Sequence, residues 1–237
     1  MDFSPPPKLW TPPRPAIVRA ASLKDIAPYA LGSFLPGMAG AAGMMSSTRG
    51  FLPTDVPGCV FWVRADLGVT KDGSNLVSSW ANQSGASGRD ATEATNKPLW
   101  VDALVNGRPA IRFDGSNDKL GTPGFTVNAP FTCLAVFKNV AVTNDRRVVS
   151  FNTTVGAGIN QRTGPNIRLQ GNGADGPSVS TDTTSFHRYF CTWNGTSSVI
   201  AIDNGSDQTS GSNISQNLAL VEIGTSSALS TYSNVEI

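Results

Sequence analysis

Leu99-Trp100-Val101-Asp102-Ala103-Leu104 and Pro109-Ala110-Ile111-Arg112-Phe113 flank Asn106-Gly107, and the fold class follows from what these residues do. Asn-Gly between two β-rich runs is the strongest short-range hairpin cue in the chain, because a tight turn of the required hand needs positive φ at both central positions. In the second run, the two-residue period of a strand puts Ala110 and Arg112 on one face and Ile111 and Phe113 on the other.

The same grammar extends in both directions. After Asn128-Ala129-Pro130 comes Phe131-Thr132-Cys133-Leu134-Ala135-Val136-Phe137-Lys138, apolar almost throughout and therefore expected to be a strand covered on both faces. Upstream, Cys59-Val60-Phe61-Trp62-Val63-Arg64 predicts a buried strand, and residues 76–81 predict another behind the Asp72-Gly73 turn. Further strands are expected over residues 147–151, 158–161, 166–170, 186–193, 199–203 and 218–223. Two of these runs lead into Asn194-Gly195 and Asn204-Gly205. Gly, Ser, Thr and Asn are abundant while Lys and Glu are sparse, which suits turns and β surfaces and not long helices. Many short strands punctuated by turns predict an all-β protein, a two-sheet antiparallel jelly-roll sandwich over residues 55–237.

Residues 1–54 read differently. They hold about half of the chain's 16 prolines, and Pro5, Pro6, Pro7, Pro12, Pro13 and Pro15 impose an extended, polyproline-like course. Ser22 could cap a short helix that Pro28 ends. Residues 30–45 are apolar yet rich in glycine. They read either as a disordered leader or, the preferred reading, as an arm that becomes ordered by lying across a partner subunit, with Trp10, Ile17, Phe34 and Leu35 as its anchors.

Composition excludes several function classes. A formal net charge of +1 and a charged fraction of 15%, against roughly 25% in typical soluble domains, leave little pull on a polyanion, so nucleic acid is not an expected partner. No apolar run is long enough to cross a bilayer, and the N-terminus lacks the pattern of a signal peptide. Membrane insertion is not expected, and synthesis in a cytoplasm is. Cys59, Cys133 and Cys191 are expected to be buried free thiols, with one disulfide and a leftover thiol as the alternative.

Chemistry is sparse as well. His187 is the single histidine and lies inside a strand run, and there is no G-x-S-x-G elbow and no paired-carboxylate strand of the E-x-D-x-x-E kind. No enzyme activity is expected. Asp114, Asn117 and Asp118, with Asp90 and Asn82, offer oxygen ligands of the sort calcium prefers. The competing reading makes Asp114-Gly115 and Asn117-Asp118 turn formers that satisfy local backbone donors. No other cofactor is expected. Trp62, Trp80, Trp100 and Trp193 could stack on sugars but are expected to fill the core, and Arg64, Arg146 and Arg147 read as solvated surface.

Three motifs together carry a family resemblance. Trp80-Ala81-Asn82-Gln83-Ser84-Gly85 with Gly88-Arg89-Asp90-Ala91-Thr92 resembles the W-x-D-x-S-G-x-G-x-D-A-T segment of concanavalin A-like, laminin-G-like jelly-roll domains, with Asn82 where the family has Asp. Residues 106–120, from Asn106-Gly107-Arg108-Pro109 to Asp114-Gly115-Ser116-Asn117-Asp118-Lys119-Leu120, resemble the N-G-x-P-x-x-x-F-D-G-x-x-D-x-L segment that follows it, and residues 59–66 resemble the opening strand. Such domains occur in secreted bacterial proteins and in bacteriophage structural proteins. With a proline-rich arm, the resemblance implies a non-enzymatic bacteriophage virion protein made in the host cytoplasm. The arm would dock on tail or head proteins in a multi-copy or homo-oligomeric assembly, and the sandwich would be displayed for adhesion to a host-surface glycan or receptor. The alternatives are a bacterial carbohydrate-binding or cell-surface adhesion module and a head-decoration protein without a sugar site. In the family, further residues close the sheet after the last strand. With Asn234-Val235-Glu236-Ile237 as the final residues, a shortened closing strand or an edge supplied by another chain is expected, and an unpaired edge would be a template for association.

Overall fold

Asn106 and Gly107 both take left-handed φ, 50° and 76°, and join β4 (Leu99–Val105) to β5 (Arg108–Asp114) in a two-residue turn with Val105 opposite Arg108. Ile111 and Phe113 are fully buried. The computed structural model describes residues 50–141, 145–152, 156–162, 164–182, 185–226 and 231–237. The chain divides into two units, Met1–Gly50 and Phe51–Ile237. The expected arm anchors Trp10, Ile17, Phe34 and Leu35, and the short helix expected from Ser22, lie outside the described residues.

Within Phe51–Ile237 the described strands form two large antiparallel sheets. One has nine strands in the order β1 (Val69–Lys71), β2 (Val77–Trp80), β3 (Ala91–Thr92), β6 (Leu120–Gly121), β14 (Glu222–Ile223), β8 (Arg146–Ser150), β9 (Gly158–Arg162), β10 (Asn166–Gly171), β11 (Ala174–Ser180). The other has six, in the order β13 (Val199–Ile202), β12 (His187–Trp193), β7 (Phe131–Asn139), β17 (Asn234–Glu236), β5, β4. A small ribbon of β15 (Thr225–Ser226) and β16 (Thr231–Tyr232) follows β14 and leads into β17. This is the expected all-β sandwich.

Alternation builds the core. Tyr189, Cys191 and Trp193 of β12 point inward and meet Ile159, Ile167 and Leu169 of the opposite sheet in one apolar cluster. Phe131 stacks on Trp193 with centroids 5.0 Å apart, and Phe151 meets both rings edge-on at 5.4 and 5.0 Å, geometries that suit the charge distribution of aromatic rings. The Trp193 indole N–H donates to the Gln170 carbonyl at 2.9 Å, so a core side chain ties the two sheets together.

Three expectations need correction. Residues 59–64 form no strand: the Trp62 amide donates to Asn82 Oδ1 at 3.0 Å, its carbonyl accepts from Gln83, and the Val60 carbonyl accepts from Arg89, so single bonds to loops stand in for a ladder. β7 is not covered on both faces. Its burial alternates, with Leu134 71% and Val136 48% exposed, because only one face of the six-stranded sheet meets the other sheet. Of the two alternatives for the last strand, the edge supplied by another chain is the one to correct: the short β17 is hydrogen-bonded to β5 on one side and β7 on the other, and Ile237 pairs with Ile111 through both backbone groups. On the outer face of β17, Glu236 pairs with Arg112 at 2.6 Å and Lys138 at 2.8 Å.

Candidate functional site

The register of the nine-stranded sheet sets out a polar surface. Ile159, Ile167 and Leu169 are in the core, so the strand period turns Gly158, Asn160, Arg168 and Gln170 to the opposite face. The pairings then assemble two rows: Arg147, Asn160 and Arg168 side by side, and Ser150, Gly158, Gln170 and Asp175 beside them. Ser150 faces Glu222, which faces Gly121, which faces Thr92, so the second row continues across the sheet.

These rows enclose a depression of about 160 Å³ lined by Asp145, Arg147, Asn160, Arg162, Arg168, Gln170 and Asp175. That is the space of about five waters, at roughly 30 Å³ each. Gly158 makes room for it: a Cβ there would sit 2.8 Å from Arg147 Nη1, so a side chain would displace the guanidinium that lies across the strand. Arg147 Nη1 donates to the Gly156 carbonyl at 3.3 Å and Nη2 to Gln170 Oε1. Gln170 Oε1 also accepts from Asn160 Nδ2 at 3.1 Å, while Gln170 Nε2 donates to Asp175 Oδ1 at 3.2 Å. Arg168 pairs with Asp175 and lies 3.7 Å from Asp145, which Arg162 also binds.

Three of these side chains are almost out of water: Arg147 is 2%, Asn160 3% and Arg168 7% exposed. Burial, and after it the neighbouring Arg168 charge, brings Arg147 below its ordinary value. Arg168 is lowered chiefly by burial in spite of Asp175, whereas the hydrogen bond that Arg162 donates to Asp145 raises Arg162. Among the described residues, buried Asn160 Oδ1 and Arg168 Nε have no hydrogen-bond partner, an unusual condition for polar atoms taken from water.

A second depression on this face, about 200 Å³, is lined by Thr92, Glu93, Lys119, Leu120, Gly121, Thr122, Glu222 and Thr225. Glu93 accepts from the Thr95 and Asn96 amides at 2.9 and 3.1 Å and lies 3.8 Å from Lys119.

The residues singled out in the sequence lie elsewhere. Asp114 Oδ1 accepts from the amides of Ser116, Asn117 and Asp118 at 2.8, 3.2 and 3.4 Å, and Asp118 Oδ2 accepts from the Asp114 amide at 3.0 Å. This is the turn-forming arrangement. The Asp118 carboxyl is pushed up to about 6 by burial, with the Asp114 charge adding to it. Among the described residues, no group of three or more His, Cys, Asp or Glu side chains is arranged to hold a metal ion. Asp90 and Asn82 tie another loop: Asp90 Oδ1 accepts from the Asn82 amide, and Asn82 Oδ1 from Trp62 and Ser84.

His187 has its Nδ1 2.8 Å from Asp203 and its Nε2 3.3 Å from Asp182. Trp80 and Trp193 are buried in the core, Trp100 packs on it half-buried with Lys71 over its ring at 4.2 Å, and Trp62 is half-buried. Among the described residues, no aromatic side chain lines the arginine depression. Arg147, expected at a solvated surface, is instead the most deeply buried of its cations. Cys191 is buried, Cys59 and Cys133 are half-buried, and all three are free thiols. Among the described residues no helix is long and apolar enough to cross a membrane.

No protein-family model matches the chain, and no curated protein matches it. Among solved structures, the carbohydrate-binding module CBM66 from Bacillus subtilis aligns with 60% of this chain and 89% of its own, at 13% identity and a TM-score of 0.34. The fold assignment rests on the molecule's own sheets: two antiparallel layers packed face to face around one apolar cluster.

Proposed function

We propose that the sandwich is a non-catalytic carbohydrate-binding module that holds a saccharide in the depression over β8–β11. One observation carries the reading. Arg147, Asn160, Arg168, Gln170 and Asp175 bring side-chain donors and acceptors to one open recess on a sheet face, and the buried Asn160 Oδ1 there has no donor among the described residues. Sugar hydroxyls both give and accept hydrogen bonds, so they match a recess of mixed polarity. With no aromatic platform in the lining, hydrogen bonds carry the recognition.

A non-catalytic role fits the placement of the titratable groups. His187, the single histidine, lies between two carboxylates, and Glu93 already accepts two backbone N–H bonds.

Probing a glycan array with the full chain tests the proposal. Binding to at least one saccharide class is expected, and Asn160→Ala should weaken it about five- to tenfold, the worth of one hydrogen bond, while the lost bond to Gln170 lowers the melting temperature by about 2–4 °C. An array with no bound glycan rejects the reading.

The bacteriophage reading, with residues 1–54 docked on a tail or head protein, rests on the composition of that segment and stands behind the carbohydrate-binding module. Its test is a mass-spectrometric copy count in purified particles, and absence from them rejects it.

A further inference from the structure

Arg147 is more than hydrogen bonding to a neutral sugar requires. The residue is 2% exposed, and its two acceptors, the Gly156 carbonyl and Gln170 Oε1, are neutral. The carboxylates nearby are already engaged: Asp175 by Arg168, and Asp145 by Arg162 with Arg168 at 3.7 Å. Among the described residues, none lies within 4.0 Å of Arg147. The lining carries three guanidinium groups against two carboxylates, an excess of one positive charge. A guanidinium does not shed its charge in a protein, and holding one out of water beside a second arginine with no carboxylate in contact is costly. The planar fork of an arginine matches an oxyanion better than any other side chain does.

We infer that the depression takes an acidic saccharide, one whose carboxylate or sulfate ester pairs with Arg147 while a ring hydroxyl donates to Asn160 Oδ1. The inference rests on the carbohydrate-binding reading and narrows it. Arg168 and Arg162 serve it indirectly, because by holding Asp175 and Asp145 they keep those charges from repelling the ligand.

The test titrates the full chain by calorimetry with oligogalacturonate, with its neutral methyl ester and with a sulfated galactan fragment, beside the acidic and neutral members of the glycan array. The acid, the sulfate ester or both should bind at least about tenfold more tightly than the neutral ester, and that preference should shrink as salt is raised. The more tightly bound anion identifies the group. Arg147→Met should bring the acid, the sulfate ester and the neutral ester to equal affinity, whatever it does to their common level of binding. The comparison of acid with ester in the unaltered chain needs no variant, so a misfolded substitution does not spare the inference. Neutral glycans bound as tightly as acidic ones overturn it and leave the carbohydrate-binding reading standing, whereas an array with no bound glycan overturns both.

Discussion

At Gly224 the backbone holds φ at +80°, and a Cβ would lie 2.2 Å from Phe113 Cδ1 in the core. Neither strain can be relieved by a flexible side chain, because the ring is packed and fully buried. Gly224→Ala is expected to cost about 3 kcal/mol, a fall of about 10 °C in the melting temperature for a chain of this size. Asp118 offers a test of opposite sign. Its carboxyl, at about 6 in the folded protein against an ordinary 3.8, binds its proton more tightly folded than unfolded. That contribution to stability is fully present below about pH 4 and is lost as the pH rises through about 6. Asp118→Asn keeps an oxygen for the Asp114 amide and removes the titration. Its melting temperature should therefore exceed the parent's at about pH 7 and lose that advantage near about pH 4. Thermal melts across that range decide it. Calcium at Asp114, Asn117 and Asp118 predicts a parent melting temperature that rises with added calcium, and an unchanged one rejects metal binding at this loop.

Among the elements, β17 carries weight out of proportion to its three residues. It fills the gap between β5 and β7, buries Val235, and places Glu236 against Arg112 and Lys138. Deleting residues 234–237 should abolish cooperative unfolding in a denaturant titration, because the six-stranded sheet would split in two. Nothing in Asn234-Val235-Glu236-Ile237 read alone announces a central strand, since four residues show too little period and the sheet position of a strand is a long-range fact. β11 was hidden for another reason: Asp175, Gly176 and Pro177 break the β pattern, which an edge strand tolerates. Its signal was present in Asn172-Gly173, which turn with φ of 53° and 71° between Gly171 and Ala174 as Asn106-Gly107 do between β4 and β5. The recess was legible in part. The alternation of Asn160 and Arg162 with Ile159, and of Arg168 and Gln170 with Leu169, marks a polar face, but that β8, β9, β10 and β11 lie side by side is set by register across turns and loops. The depth of Arg147 depends on that adjacency, and so a cation that reads as solvated is buried.

For the molecule as a whole, the described core draws its residues from Val77 to Val235 and closes on itself. The chain divides between Gly50 and Phe51, and we expect the sandwich to fold without the residues before Phe51: a chain beginning there should melt within about 2 °C of the full chain. A larger fall would make the leading segment part of the fold and not an arm.

The four margins of the two large sheets share a property that bears on self-association. β1 has three residues and a bulge, β11 carries Pro177 beside a bulge, β13 is met by Gln208 through Ile200, and β4 is broken between Val101 and Val105, where Ala103 turns to a φ of 52°. None offers the long, flat, open row of N–H and C=O groups that a foreign strand needs to dock. These margins thereby disfavour stitching the sheets of neighbouring copies into continuous ribbons.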